Sequence, residues 1–440
     1  MMPSCRRRPG RRQKRSRAVS VSSPAAVFLA SWAAAGFLVS SVFLAAAPAA
    51  AHSDRGPGRW TGAWATSMVA PDPGFPAGNW SGGFANHSLR QVIRVSRGGS
   101  NVRIRVSNAF GAAPLRLAGA SIGQAGEGAS VQAGSLRPLT FGRSVPTVVP
   151  AGGEAVSDAT VVRVSPLERL TVTLYLAELT GPATFHPIAI ATSYRATGDH
   201  LFDQGGGAFG EASQSWYYLA GVEVAGRTSG QRGAVVAFGD SITDGTFSTP
   251  DANNRYPDEL AERMVAAGRP MGVLNAGVVG NRVLAGSPGL GERATARFQR
   301  DVLDQPRVRT VIVLEGINDI GFGEGGLGER VTAQQLIDGY RALIHAAHAR
   351  GIRLIGATIT PSKGAIYPGY YTDRGEAVRE AVNHWIRTAG EYDAVVDFDR
   401  ALADPTDPDR LRPTFDSGDG LHPNDAGMRA LAQAIDLNTM

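Results

Sequence analysis

The alternation of apolar and polar residues divides the chain into two differently patterned regions. Between residues 60 and 228, short runs alternate at period two between clusters of Gly, Pro, Ser and Asn, as half-buried strands do. In the run NVRIRVS from residue 101, Val102, Ile104 and Val106 point one way and the two arginines point the other. No segment of this region has a helical period. We therefore predict an antiparallel β-sandwich or jelly-roll-like domain over residues 60–228.

From Gly233 onward the pattern changes to short apolar strands that alternate with helical stretches. This alternation is typical of a parallel sheet with crossover helices. The predicted strands are Ala234–Phe238, Gly272–Asn275, Thr310–Leu314, Arg353–Ile359 and Ala394–Phe398. The predicted helices are Asp258–Ala267, Glu292–Asp304, Thr332–Arg350, Asp373–Glu391 and Asp425–Ile435. We expect a three-layer, flavodoxin-like α/β domain over residues 233–437, with its site at the carboxyl ends of the strands.

The first 51 residues have the three parts of a secretory signal peptide. They are a basic start, an apolar run from about Ala25 to Ala47, and small residues at positions 49–51 that form a cleavage site. We expect cleavage near Ala51 and a secreted, extracellular protein. A retained membrane anchor is the alternative, because the apolar run is long enough for one. The Ala-rich composition favours a removed signal, so no stable membrane span is expected after processing.

Charge and cysteine content exclude several classes of function. The formal net charge is +5, from 44 basic and 39 acidic residues, but eight of the basic residues lie in the leader, which has no acidic residue. The 36 basic residues that remain do not outnumber the acids, so a nucleic-acid partner is not expected. The only cysteine, Cys5, also lies in the leader, which excludes a thiol nucleophile and a thiolate metal site in the exported part.

Residues suited to acyl transfer follow the first three strands of the second region. The first strand runs into Gly239-Asp240-Ser241, where Ser241 begins the next segment and free backbone N–H groups can stabilise an oxyanion. After the second strand, Gly280 lets a backbone N–H face a ligand without a side chain in the way. After the third, the carboxamide of Asn318 can donate to the same oxygen. We predict Ser241, Gly280 and Asn318 as the oxyanion donors.

The sequence D-G-L-H at residues 419–422 precedes the closing helix and completes the set. A three-residue spacing within a turn lets the Asp419 carboxylate reach back to the imidazole of His422, which is the orientation that a general base needs. We therefore predict Ser241 as the nucleophile, His422 as the general base and acid, and Asp419 as the carboxylate that orients it.

These four blocks resemble the SGNH, or GDSL, hydrolases, which are named after Ser, Gly, Asn and His in four sequence blocks. Here the four are Ser241, Gly280, Asn318 and His422, in the family's order within about residues 233–437. One departure is Ile242, which stands where the GDSL name has Leu. The resemblance implies a serine esterase without metal or organic cofactor, of the secreted bacterial type with an N-terminal β domain.

Weaker motifs are interpreted as structural. The run GEGGLG at residues 323–328 matches a dinucleotide fingerprint in spelling, but no helix opens directly from it, so we interpret it as a loop. His345 and His348, one helical turn apart, are interpreted as a solvated pair because no third metal ligand is near them. The acidic segment from Asp404 to Asp409 is interpreted as a surface turn in preference to a calcium site.

The sequence thus predicts a serine hydrolase that cleaves carboxylic esters through an acyl-enzyme. Its substrate is expected to be a small-molecule, lipid or acylated carbohydrate ester, and the β domain slightly favours the carbohydrate ester. One alternative is a lipase or lysophospholipase. The other is an inactive carbohydrate-binding protein, against which the intact set of predicted catalytic residues argues.

Overall fold

Strands and turns account for all the structure between residues 60 and 226, where no helix occurs. The computed structural model describes residues 60–226 and 233–440, and the predicted leader lies outside them. The strands of this region are β1 (Thr61–Ala65), β2 (His87–Arg94), β3 (Gly99–Ser107), β4 (Leu115–Leu117), β5 (Gly119–Gln124), β6 (Arg137–Leu139), β7 (Thr147–Val149), β8 (Glu154–Val156), β9 (Thr160–Val164), β10 (Arg169–Leu176), β11 (Phe185–His186), β12 (Ser193–Thr197), β13 (Glu211–Ser213), β14 (Trp216–Tyr217) and β15 (Leu219–Ala225).

Most of these strands belong to two antiparallel sheets that share one apolar core. One sheet has the order β1-β15-β3-β8, with β9 also paired to β3, and the other has the order β13-β12-β2-β10-β5-β6. Val102, Ile104 and Val106 of β3 are fully buried, as their alternation predicts, and they share a core with Leu170 and Val172 of β10. Residues 60–226 are therefore built of antiparallel sheets with a common interior.

A five-stranded parallel sheet forms the second half of the described chain. Its strands are β16 (Ala234–Gly239), β17 (Gly272–Gly277), β18 (Val308–Leu314), β19 (Arg353–Ala357) and β20 (Ala394–Val396). Their order is β17-β16-β18-β19-β20, and all neighbours are parallel. All five predicted strands are confirmed. The prediction that the last strand reaches Phe398 is wrong, because Asp397 caps a short helix that begins at Phe398.

Helices connect these strands, and a two-stranded hairpin follows the last of them. The helices are Ser241–Asp244, Tyr256–Ala266, Ala294–Phe298, Ile317–Glu324, Ala333–His348, Asp373–Thr388, Phe398–Leu402 and Asp425–Ala434, with a 3₁₀ turn at Leu437–Thr439. The hairpin consists of β21 (Ala403–Asp404) and β22 (Asp407–Leu411). The second half of the predicted helix Glu292–Asp304 is a π-helical turn, Gln299–Leu303. No helix within the described residues combines the length and apolar character needed to cross a bilayer.

The parallel strands are buried on both faces. In β16, Val235 and Ala237 contribute to one cluster with Leu260 and Met428, whereas Phe238 packs into a second cluster on the other face. Helices therefore cover both faces of the sheet, which explains why its strands are nearly continuous apolar runs in the sequence. This packing leaves the carboxyl ends of the strands, and the loops that follow them, as the place where polar groups gather.

The antiparallel region packs directly on the parallel sheet, and the two belong to one compact unit. Ser96 joins them, because its hydroxyl donates to the carbonyl of Ala63 and accepts the N–H of Val273 at 2.8 Å. The backbone N–H of Gly62 in β1 donates to the carbonyl of Pro306 at 3.3 Å. The predicted boundary between two domains, at residues 228–233, falls on a segment that lies largely outside the described residues and stays a prediction.

Candidate active site

Ser241 lies at the carboxyl end of the central strand β16, at the first position of a one-turn helix. The strand ends at Gly239, where a Cβ would lie 2.4 Å from the carbonyl oxygen of Leu314, so only glycine fits between the strands. Asp240 caps the helix, because its Oδ1 accepts the N–H of Ile242 at 2.9 Å. The backbone N–H of Ser241 therefore sits at a helix start, where it is available to a ligand.

Ser241, His422 and Asp419 form a continuous chain of hydrogen bonds. The Oγ of Ser241 lies 2.8 Å from Nε2 of His422, and Nδ1 of the same ring lies 2.6 Å from Oδ2 of Asp419. The other carboxylate oxygen accepts the backbone N–H groups of Leu421 and His422, at 2.9 and 2.8 Å. The structure thus brings together the three residues predicted as nucleophile, base and orienting carboxylate, although they span more than 180 positions of sequence.

Asp419 is held in its ionised form. Burial alone would raise the pKa of this carboxyl. The pKa is instead lowered to about 2 by the hydrogen bond from the His422 ring, by the charge of that ring and by two backbone N–H groups. An ionised carboxylate can only accept a hydrogen bond, so Nδ1 of His422 carries the proton. The lone pair of Nε2 then faces the hydroxyl of Ser241, which is the arrangement a general base requires.

Gly280 lies in the turn that follows β17, next to β16 in the sheet. Its φ of +68° is left-handed, and a Cβ at this position would lie 2.6 Å from Leu290. A side chain here would therefore both strain the backbone and collide with the loop. In the described parts of the chain, the N–H groups of Gly280 and Ser241 donate to no other residue. Both N–H groups are therefore available to a bound oxyanion.

Asn318 is oriented by a hydrogen bond on each end of its amide. Its Nδ2 donates to the carbonyl of Asn281 at 2.9 Å, and its Oδ1 accepts the hydroxyl of Tyr370 at 2.5 Å. One N–H of the amide is left for a ligand. Because Asn281 directly follows Gly280, this bond also joins the loop of Gly280 to the segment that carries Asn318.

The segment that carries Asn318 is a helix and not the turn that the sequence predicted. Gly316 precedes the helix Ile317–Glu324 with a φ of +114°. The carboxylate of Asp319 accepts the N–H groups of Val283 and Leu284, at 2.8 and 3.0 Å. Burial raises the pKa of Asp319 to about 6, although these two bonds oppose the shift. Asp319 therefore fixes the loop after β17 against the helix after β18.

Arg297 joins the strand ends beneath the site, and nothing in the sequence singled it out. The side chain is 1% exposed, and its Nε and Nη atoms donate to Asn281 Oδ1 and to the carbonyls of Ala276 and Gly239, each at 2.8 Å. Longer bonds of 3.2 Å reach Ser67, Asp301 and Glu315. An arginine within an amphipathic helix is ordinarily a surface residue, so its buried role could be found only from long-range contacts.

Two buried carboxyl groups, Asp240 and Glu315, lie within the electrostatic reach of the Arg297 guanidinium. Burial raises the pKa of Asp240 to about 7, and the N–H of Ile242 offsets only part of the shift. Burial and the neighbouring Asp240 raise the pKa of Glu315 well above its ordinary range, although Arg297 opposes the shift. Two neighbouring buried carboxyl groups oppose each other's ionisation, and burial adds to the effect. At neutral pH this cluster therefore retains at least one proton.

A histidine of the antiparallel region also reaches the site. Nε2 of His186, in β11, lies 2.9 Å from Oδ1 of Asp244, which ends the helix that begins at Ser241. Both side chains are buried, with 1% and 4% of their surfaces exposed. The other oxygen of Asp244 accepts the N–H of Val279 at 3.2 Å. His186 has no local sequence signal of this role, because it lies in the region predicted to be a separate domain.

Aromatic side chains flank the imidazole of His422. The ring centroids of Phe247 and Tyr367 lie 5.3 and 6.1 Å from it, and both side chains are half-buried. Phe75 and Ile188, from the antiparallel region, pack against the apolar cluster to which Tyr367 is also joined. The two rings beside the base are thus aromatic, and residues of the antiparallel region belong to the same apolar surroundings as Tyr367.

Candidate metal ligands lie away from this chain of hydrogen bonds. In the described residues, Glu376, Glu380 and Asp409 place ligand oxygens within 4.8 Å of one another, but Arg379 donates to both glutamates. His348 is exposed and pairs with Asp393 at 2.9 Å, in agreement with its interpretation as a solvated residue. The Ser241 site itself presents the groups of metal-free acyl transfer, namely a hydroxyl, an imidazole and amide donors.

Comparison with known families agrees with this chemistry. Residues 237–430 match the model of the GDSL-like lipase/acylhydrolase family, and this span contains all five predicted site residues. These residues form a GDSL-like lipase/acylhydrolase domain. The resemblance inferred from the four sequence blocks is confirmed. The GDSL domain makes the protein a carboxylic ester hydrolase.

Several solved structures are similar to the GDSL domain. An acetyl xylan esterase from Geobacillus stearothermophilus is 21% identical, and the alignment covers 46% of this chain and 91% of that one with a TM-score of 0.36. A lipase/acylhydrolase from Enterococcus faecalis is 21% identical, with 46% and 92% of the two chains covered and a TM-score of 0.36. A GDSL-like lipase from Bacteroides thetaiotaomicron is 18% identical, with 47% and 87% covered and a TM-score of 0.35. No curated protein sequence matches the chain.

Proposed function

We propose that the GDSL protein is a secreted serine esterase that works through an acyl-enzyme, with Ser241 as nucleophile and His422 as base. The observation that carries this proposal is the continuous path from the Ser241 hydroxyl, through the His422 ring, to the ionised Asp419, with contacts of 2.8 and 2.6 Å. A buried serine bonded to an imidazole whose far nitrogen meets a carboxylate is the arrangement of an activated nucleophile.

The reaction begins when Nε2 of His422 takes the hydroxyl proton of Ser241 while Oγ bonds to the ester carbonyl carbon. The carbonyl oxygen becomes an alkoxide, which the N–H groups of Ser241 and Gly280 and the amide of Asn318 stabilise. Collapse of this intermediate breaks the bond to the alcohol oxygen, which receives the proton from His422. Water then attacks the acyl-enzyme by the same route, releasing the carboxylic acid and restoring the hydroxyl of Ser241.

The proposed substrates are esters with a compact acyl group, including acyl groups carried by carbohydrates. Ser241 is only 4% exposed, and the aromatic rings of Phe247 and Tyr367 flank the base. Because of these contacts, a small acyl group should reach the hydroxyl more easily than a bulky one. A lipase or lysophospholipase is the competing assignment, and it requires long acyl chains to be accepted at least as well as short ones.

A substrate panel tests the assignment. The wild-type protein should hydrolyse p-nitrophenyl acetate and acetylated xylan faster than p-nitrophenyl palmitate, and a fluorophosphonate probe should label it. Ser241→Ala should abolish both hydrolysis and labelling, whereas Ser248→Ala, which alters another buried serine nearby, should retain them. Preference for the palmitate ester would instead support a lipase. Failure of the probe to label the wild-type protein would overturn the serine mechanism.

Secretion is proposed from the leader, which has a basic start, an apolar run and a small-residue cleavage site. Expression of the full chain in a secreting bacterial host should place the protein in the medium. Amino-terminal sequencing should then find a first residue near His52. Full-length protein recovered in the membrane fraction would support the retained anchor instead.

A further inference from the structure

His186 bridges the antiparallel region and the catalytic turn, although the reaction described above does not use it. Its Nδ1 lies 2.8 Å from the carbonyl of Ser67, and its Nε2 lies 2.9 Å from Asp244 and 3.2 Å from the carbonyl of Ile188. All of these partners are acceptors, so both ring nitrogens must donate and the ring must carry a positive charge. A fully buried imidazolium beside a buried carboxylate forms a strong and directional pair.

Asp244 links His186 to the loop that carries Gly280. One of its oxygens faces His186, and the other accepts the N–H of Val279 at 3.2 Å. Val279 is bonded directly to Gly280, whose own N–H is free. The plane of the peptide between these two residues determines where the Gly280 N–H points. His186 fixes the carboxylate of Asp244, and this carboxylate holds the N–H of Val279. It therefore constrains the direction of the next amide in the chain, which is that of Gly280.

We propose that His186 is a positioning residue for ester hydrolysis: through Asp244 it directs the N–H of Gly280 toward the oxyanion of the tetrahedral intermediate. This inference rests on the proposed serine esterase function. It gives the antiparallel region a part in catalysis, because β11 supplies a side chain on which the geometry of the oxyanion donors depends. His186 touches neither Ser241 nor the substrate, so its effect is indirect.

The proposal makes turnover depend on the charge of His186. Burial by itself would lower the pKa of this ring, but the charge of Asp244 and the hydrogen bonds to three acceptors raise the pKa above 6.5. The charged groups packed around it are Asp244 itself, Arg297, which donates to the side chain of Ser67, and Arg255, whose guanidinium lies over Trp216 beside the His186 ring. When the pH rises far enough to remove the proton, the ring keeps a single N–H, so it can donate to Ser67 or to Asp244 but no longer to both, and the positive charge that fixes Asp244 is lost.

The first experiment compares His186→Gln with His345→Gln, the same substitution at an exposed histidine. Glutamine has no positive charge and cannot donate to Ser67 and Asp244 from opposite sides of a ring. We expect kcat for a p-nitrophenyl ester to fall about tenfold to a hundredfold with little change in KM, because oxyanion donors act in the transition state. Titration with a fluorophosphonate measures the concentration of protein with a reactive serine, and dividing the rate by this concentration corrects kcat for misfolded protein. An unchanged corrected kcat in His186→Gln would overturn the proposal.

The second experiment uses the pH profile and a partner variant. Wild-type kcat should decline on the alkaline side as His186 loses its proton, and this decline should be absent in His186→Gln and present in His345→Gln. Asp244→Asn should lower kcat to a similar extent, and the double variant should be no slower than either single one. Additive losses, or identical alkaline limbs in all variants, would contradict the proposal. If the single variants do not fold, a wild-type kcat that stays constant to alkaline pH would still overturn the proposal, and an alkaline decline would support it.

Failure of this inference can be distinguished from failure of the proposed function. If wild-type protein and Ser241→Ala are equally active, or equally inactive, the serine mechanism itself is wrong. If hydrolysis depends on Ser241 but not on His186, only the positioning role is wrong. Affinity for a boronate that forms a tetrahedral adduct with serine should fall in parallel with kcat in His186→Gln, because the adduct needs the same donors.

Discussion

At the scale of single residues, the orientation of the Asn318 amide depends on the hydroxyl of Tyr370. An amide group is nearly symmetric in shape, so its steric surroundings do not decide which end faces the substrate. The hydroxyl of Tyr370 makes that choice together with the carbonyl of Asn281, because the hydroxyl donates to Oδ1 at 2.5 Å and the carbonyl accepts from Nδ2 at 2.9 Å. Tyr370 thus belongs to the oxyanion-binding arrangement without contributing a donor to it.

We expect Tyr370→Phe to lower kcat about fivefold to tenfold, which corresponds to the loss of about 1 kcal/mol from one hydrogen bond. Asn318→Ala removes the donor itself and should lower kcat about 10²- to 10³-fold. Steady-state hydrolysis of a p-nitrophenyl ester measures both effects. Tyr371→Phe is the control, because that hydroxyl bonds to Asp409 instead. Equal losses in Tyr370→Phe and Tyr371→Phe would show that the bond to Asn318 has no special role.

The ionised state of Asp419 leads to a prediction about acid stability. Its folded-state pKa of about 2 lies below the ordinary value of 3.8, so its contribution to folding is present above about pH 4 and is lost as the pH falls toward 2. The free energy of unfolding in urea should therefore be higher for the wild-type protein than for Asp419→Asn at pH 7 and pH 5. The difference should shrink between pH 4 and pH 2. A difference that is constant over this range would contradict the assignment.

At the scale of elements, the parallel strands could be predicted but the short helices could not. All five strands were located because each is a continuous apolar run bounded by glycine or polar residues, which is how strands buried on both faces appear in sequence. The one-turn helix Ser241–Asp244 is too short to show a periodic pattern. The helix Ile317–Glu324 contains two glycines and follows a third, so its composition indicated a turn.

The same limit applies to the site. Ser241, Gly280, Asn318, Asp419 and His422 could be found because each lies in a recognisable block after a strand or before a helix. His186 and Arg297 could not, since their roles depend on partners more than fifty residues away in sequence. A buried histidine in a strand and an arginine in a helix have no local signature that separates them from ordinary structural residues.

Gly316 determines how the helix that carries Asn318 begins. A Cβ at this position would lie 2.5 Å from the hydroxyl of Tyr340, and the φ of +114° is unfavourable for any other residue. Left-handed strain alone costs about 1 to 2 kcal/mol for a residue with a side chain. Because Gly316→Ala adds a collision to this strain, it should lower the free energy of unfolding by more than about 2 kcal/mol. Gly326→Ala is the matched control, because its φ is +76° and no atom lies within 4 Å of a Cβ. Urea denaturation should show the larger loss for Gly316→Ala, together with a lower kcat.

At the scale of the whole molecule, the antiparallel and parallel regions are joined by buried polar contacts. Arg297 bonds to Ser67, Asp244 to His186, and Val273 to Ser96, and each contact pairs groups that are removed from water. Separating the two regions would leave these groups buried without partners or expose the surfaces around them, and either outcome is costly. The regions therefore stabilise each other.

This mutual stabilisation predicts a single unfolding transition for residues 60–440. Calorimetry should give one peak, and tryptophan fluorescence, which reports mainly on the antiparallel region, should change at the same temperature as esterase activity is lost. Ser96→Ala should lower the temperature of both signals together. Two separate transitions, with activity surviving the first, would show that the parallel region is stable by itself.

The guanidinium of Arg297 holds the ends of two neighbouring strands and the loop that follows one of them. This arrangement has a consequence for the interpretation of activity screens of random variants. Lysine offers a single tetrahedral nitrogen and cannot reproduce a planar fork that meets acceptors on three sides. In a screen scored by activity, nearly every substitution at this position should be as damaging as one at Ser241. Such a screen would rank as catalytic a residue that never meets the substrate, and measuring the folded fraction of each variant would reveal the difference.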